Sequence, residues 1–133
     1  MCASRVAAAE LPPTAAELHA AECVAALEAQ AEALAAQVRA GQQELRPQLT
    51  TQLEYGAAFI GTAYLRGERD EPRSQALLNA ARERQGELSA QDLLARQAQC
   101  AGEASRLLAE SNALERAVVS QVAKRRMAKL LER

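Results

Sequence analysis

The chain has 133 residues, a formal charge of −1 and 49% hydrophobic residues, the length of one domain. Its apolar share is built from 32 Ala and 18 Leu against 6 Val, 1 Ile, 1 Phe and no Trp, which argues against a β-sheet core, because sheets favour branched and aromatic side chains. Ala, Leu, Glu, Gln and Arg are strong helix formers, so the composition predicts an all-α chain of long helices or coiled coil and disfavours a compact enzyme.

Residues 1–13 read as a flexible N-terminal tail closed by Pro12-Pro13, since proline cannot continue a helix from upstream. They carry no long apolar run, so no secretory signal is expected. Thr14 and Glu17 have the spacing of a capping box, in which each side chain bonds the other's backbone amide. They predict the start of a first helical arm over 14–65. Leu27, Ala31, Leu34, Val38, Gly41 and Leu45 follow at alternating steps of four and three, the spacing of a seam that faces a partner helix. Pro47 predicts a kink or short break at 43–47. Beyond it Leu49, Leu53, Ala57 and Ile60 resume the apolar stripe, and Tyr55, Phe59 and Tyr64 are expected to form the densest packing layer.

The stretch 66–74 is charged, with Gly67 and Pro72, and reads as an exposed connector. A second arm is expected over 75–133, either continuous or broken at 86–89, where Gly86 precedes Ser89. Leu107, Leu108, Leu114, Val118, Val119 and Val122 give its last part a wide apolar face. The resulting expectation is an elongated antiparallel helical hairpin or coiled coil whose apolar stripes other helices complete.

Chemistry-bearing motifs are sparse. His19 is the only histidine, and Cys23 lies four residues on. Zinc sites need three or four ligands, and Cys2 and Cys100 are distant in sequence, so no metal site is expected. Nor is a nucleophile–base constellation, a phosphate loop or a cofactor site visible. Three widely spaced cysteines without a C-x-x-C pair fit a reducing compartment better than a disulfide scaffold. With no apolar run long enough to span a membrane, the expectation is a cytoplasmic or nuclear protein.

Charge is distributed unevenly: residues 1–60 carry −4 and residues 61–133 carry +3, so the two arms should attract. Lys124, Arg125, Arg126 and Lys129 make the C-terminal end basic, which suits phosphate on nucleic acid or anionic lipid and equally suits the dipole of a helix C-terminus.

The order and separation of Val38-Arg39, Gln43-Glu44-Leu45-Arg46, Gln48 and Leu77-Leu78-Asn79-Ala80 loosely resemble snapin-like subunits of lysosome-positioning and organelle-biogenesis complexes. Pro47 departs from that pattern, and small kinetochore and spindle rod subunits are echoed equally. The expected role is therefore a non-catalytic structural subunit or adaptor of a hetero-oligomeric complex, of cytoskeletal, kinetochore or organelle-trafficking type. Its partners would be other helical coiled-coil subunits, met through Leu27, Leu34, Val38, Leu45, Leu49, Leu53, Leu107, Leu108, Leu114, Val118 and Val122. The alternative is an adaptor that binds nucleic acid or anionic lipid through its basic C-terminal end.

Overall fold

The computed structural model describes residues 11–65 and 70–133, all of it helix and short connections: α1 (Ala15–Arg39), a 3₁₀ turn (Gln43–Leu45), α2 (Arg46–Leu65), α3 (Glu71–Gln85), α4 (Ala90–Glu110) and α5 (Ala113–Leu131). No strand occurs among the described residues. The start of α1 is the capping box of Thr14 and Glu17, with both reciprocal bonds at 3.0 and 3.1 Å. Its end lies at Gly41, whose φ of +113° suits glycine. The Gly41 amide donates to the Val38 carbonyl and the Gln42 amide to the Gln37 carbonyl, the two bonds of a Schellman stop. Gly41 therefore ends the helix instead of extending its seam.

Pro47 falls in the first turn of α2, where its missing N–H would have had no helical partner. The break expected at the proline thus precedes it. The expected connector at 66–74 overlaps α3 in its second half, and residues 66–69 lie outside the described residues. Asp70 accepts from the Arg73 amide at 3.1 Å and Pro72 occupies the first turn, so Glu71 to Ser74 are already helical.

The second half of the chain is divided twice. One division is at 86–89, where Ser89 caps α4 by accepting from the Asp92 amide. The other is at Ser111-Asn112, where Asn112 and Glu115 form a second capping box at 2.8 and 3.0 Å. Arg116 adds two bonds to the Ser111 carbonyl. With these breaks the helices fold alongside one another, and α1 packs against each of the other four.

Why α1 lies at the centre follows from its side chains. Six consecutive residues, Cys23 to Glu28, are buried, more than a full turn, so that part of the helix is covered on all sides. Alanine makes this possible. Nine of the twenty buried apolar residues described are alanines, and small side chains let helix backbones approach closely. Two glutamines exploit that closeness: Gln85 of α3 donates to the Ala25 carbonyl and Gln97 of α4 to the Ala26 carbonyl, at 3.3 and 3.1 Å.

The core falls into two clusters. Toward the end of α1, Ala31, Leu34, Ala35 and Val38 pack with Leu49, Leu53 and Ala57 of α2 and Val119, Ala123 and Leu130 of α5. Nearer its start, Cys23, Val24 and Leu27 pack with Ala58 and Phe59 of α2 and Cys100 and Ala104 of α4. Phe59 is buried and Tyr55 borders it; the Tyr64 side chain lies outside the described residues.

Candidate functional site

The acidic surplus of the first half and the basic surplus of the second meet residue by residue along α1. Glu17 accepts two bonds from Arg73 of α3, at 3.0 and 3.2 Å. Glu22 faces Arg84 of α3 and Arg96 of α4, at 3.5 and 3.8 Å. Glu28 is joined to Arg82 of α3 at 2.6 Å and to Arg126 of α5 at 2.5 Å. Each of these five ion pairs links a glutamate of α1 to an arginine of a later helix.

Glu28 is the electrostatic centre of the arrangement. It is only 7% exposed, and taking a carboxylate out of water is expensive unless cations and hydrogen bonds replace the lost solvent. Two guanidinium groups do so from opposite helices. At the start of α1, Arg73 also donates to the carbonyls of Leu11 and Pro12. The same guanidinium, together with the Thr14 amide, holds the Glu17 carboxyl well below its ordinary value of 4.5, at about 2. At the other end, Arg39 donates to the Leu130 carbonyl, satisfying an orphan carbonyl at the C-terminus of α5.

Beside Glu28 lies a niche of about 10 Å³, lined by Val24, Ala31, Leu53, Gly56, Ile60 and Arg126. It falls below the size of ordinary ligand pockets.

A second polar cluster bridges α1 and α4. Cys23 and Cys100 form a disulfide with Cα atoms 5.3 Å apart, within the usual range. This corrects the expectation of unpaired thiols: residues 77 apart in sequence become neighbours only once α4 packs on α1, so their spacing could not reveal the pair. His19 Nε2 lies 2.7 Å from Glu103 Oε2 and 3.7 Å from Cys23 Sγ. His19 therefore does have donor atoms around it, although the cysteine beside it is oxidised. The signal available in sequence was two donor pairs at helical spacing, His19 with Cys23 and Cys100 with Glu103. Glu28 had no such signal.

The expected partner-facing residues separate by location. Leu27, Leu34, Val38, Leu49 and Leu53 are buried in the chain's own core. Leu45, Leu107, Leu108 and Val122 pack on its margin. Val118 lies against α2 at Gly61, where an added Cβ would meet its Cγ1 at 3.4 Å. Leu114 stands apart at 63% exposed, as does Leu94 of α4 at 64%, which the heptad reading left out of the interface. Of the basic set, Arg126 is committed to Glu28, while Lys124, Arg125 and Lys129 are exposed. Among the described residues no helix is long and apolar enough to cross a membrane.

Comparison with protein-family models, curated proteins and solved structures gives no match.

Proposed function

We propose that the chain is a non-catalytic helical subunit or adaptor that works by helix–helix association within a hetero-oligomeric complex. The observation that supports this reading most directly is Leu114, a large apolar side chain left in solvent on the first turn of α5. A single exposed leucine is ordinary, but this one lies at steps of four from Val118 and Val122, which line one side of the same helix. A partner helix laid along α5 would cover Leu114 and the exposed edges of both valines in a coiled-coil-type seam. The partner surface is thus narrower than the heptad pattern alone implies, because the leucines of α1 and α2 are already used within the chain. Cytoplasmic or nuclear residence and a role in cytoskeletal, kinetochore or organelle-trafficking assemblies belong to the same proposal.

The test is co-purification of the full chain from its native source beside Leu114→Asp, with circular dichroism to verify that both are folded. Helical partners recovered with the parent chain and lost with the variant support the reading. Partners retained by a folded Leu114→Asp chain place association elsewhere.

A second reading rests on Lys124, Arg125 and Lys129. None of the three enters an ion pair among the described residues, and all are exposed on α5. They suit phosphate of nucleic acid or anionic lipid. Charge reversal at Arg125 and Lys129 should then remove a salt-sensitive interaction. Arg126 is unsuited to this test, because reversing it would place two carboxylates together at Glu28.

A further inference from the structure

His19 and Cys23 are one turn apart on α1, and Cys100 and Glu103 are nearly one turn apart on α4. The packing of the two helices therefore brings four potential ligand atoms to one seam. His19 Nε2, Cys23 Sγ and a Glu103 carboxylate oxygen all lie within 4.8 Å of one another, and Cys100 Sγ is bonded to Cys23 Sγ. While that bond exists, neither sulfur can act as a thiolate, the form that binds metal. We propose that this seam is a redox-gated zinc site, in which reduction of the disulfide by a dithiol frees Cys23 and Cys100 to hold one Zn²⁺ together with His19 and Glu103.

The steps balance. A dithiol transfers two electrons and two protons, the protein S–S bond breaks to give two thiols, and the reductant leaves as its own disulfide. Zn²⁺ then displaces the two thiol protons to solvent. It is held by two thiolates, a neutral imidazole and a carboxylate, a four-ligand set of the kind zinc accepts. Two sulfur ligands favour zinc over magnesium or calcium, which prefer oxygen.

The distances suit this conversion. Zn–S bonds of about 2.3 Å and Zn–N or Zn–O bonds of about 2.0–2.2 Å place tetrahedral ligand atoms roughly 3.3–3.8 Å apart. The His19–Cys23 separation of 3.7 Å is already in that range. The 2.7 Å contact of His19 with Glu103 must open by about 0.6 Å to reach the range set by those bond lengths. The two sulfurs must part by side-chain rotation, for which a Cα separation of 5.3 Å leaves room. Access comes from one side: the cysteines are buried, whereas the His19 and Glu103 side chains are 46% and 25% exposed. Disulfide and metal are then alternative locks on the same pair of helices, so an oxidising and a reducing compartment would each hold α1 against α4.

The full chain, reduced with a dithiol and desalted without oxygen, should be titrated with Co²⁺ and then challenged with Zn²⁺. One Co²⁺ per chain is expected, with thiolate-to-cobalt charge-transfer bands and the visible spectrum of a tetrahedral site, all displaced by Zn²⁺. The oxidised chain should give none of these bands. His19→Ala and Glu103→Ala, which keep the disulfide for folding, should weaken binding after reduction by about 10- to 100-fold or more, since even the loss of a group supporting a ligand costs that much. Cys2→Ser should change nothing. The proposal is overturned if the reduced chain binds no Co²⁺, if binding is unchanged in both the His19 and the Glu103 variants, or if it depends on Cys2.

Discussion

The two halves of α1 share apolar burial and differ in the polar and covalent ties added to it. From Ala31 to Val38 its neighbours are the apolar side chains of α2 and α5, in a cluster of leucines, valines and alanines. From Glu17 to Glu28 it buries Cys23, Val24 and Leu27 against α2 and α4, and to that packing are added arginines of α3, α4 and α5, two glutamines on its carbonyls, and a covalent bond to α4. Apolar burial is non-directional and proportional to area, whereas hydrogen bonds and ion pairs need defined geometry. Both halves of α1 therefore supply hydrophobic drive, and the polar and covalent ties of the earlier half fix which helix lies where. An alanine-rich chain gains from this division. Close-packed alanine backbones contribute little core volume, so polar and covalent ties carry more of the specification.

Reduction of the disulfide should separate the two halves most strongly. The bond closes a loop between residues 77 apart, and in the chain-entropy account such a cross-link contributes about 4.5 kcal/mol. Denaturant unfolding of oxidised and metal-free reduced protein should show that loss in the midpoint. If the division is real, amide exchange should accelerate first at the α4 contacts of α1 and later in the cluster with α5.

Leu49→Ala probes the other half. Leu49 is fully buried among α1 and α5 residues, and truncating such a leucine costs about 2–5 kcal/mol. The cost should be the same in oxidised and reduced protein, because distant sites without shared partners add. A cost that changes with reduction would show that the two halves behave as one unit.

Glu28→Gln tests the polar half without touching the disulfide. It removes the charge that two arginines share, and hydrogen bonds to charged groups contribute about 1.5–3 kcal/mol. A loss of about 2 kcal/mol is expected, because both guanidinium groups can turn to water. Arg82→Ala and Arg126→Ala should each cost less, since one cation remains beside the carboxylate.

This division explains what could be read before folding. Helix formation is local, so composition carried it, and the Thr14–Glu17 capping box was visible as a four-residue pattern. The Asn112–Glu115 box is equally local, but leucines and valines continue on both sides of it and mask the break. The opposite charges of the two halves were legible as totals of −4 and +3. Their pairing, Glu28 with Arg82 and Arg126 above all, depends on tertiary packing. The same holds for Cys23 with Cys100. The seam residues posed a different problem: heptad spacing says that a helix will pack against another, and says nothing about whether that helix belongs to the same chain. Leu27, Leu34 and Leu53 found their partners within it.

The smallest expected effect is at the start of α1, where Glu17 meets Arg73. The folded chain holds the Glu17 carboxyl at about 2, below its ordinary value of 4.5, through the Arg73 guanidinium first and the Thr14 amide second. A depressed folded-state pKa means that folding favours the ionised form. The stabilisation is therefore complete above about pH 4.5 and is lost as pH falls toward about 2. Partly exposed pairs of this kind contribute little, and other carboxylates also titrate in this range, so the useful quantity is the difference between parent chain and Glu17→Gln. That difference should be constant above about pH 4.5 and shrink steadily below it, as measured by urea midpoints across the acid range. Arg73→Ala should give the same converging curves, because it removes the main cause of the depression. Curves that stay parallel down to about pH 2 would mean that α1 is anchored to α3 by other contacts, and would confine the polar half of the molecule to Glu22, Glu28 and the α1–α4 seam.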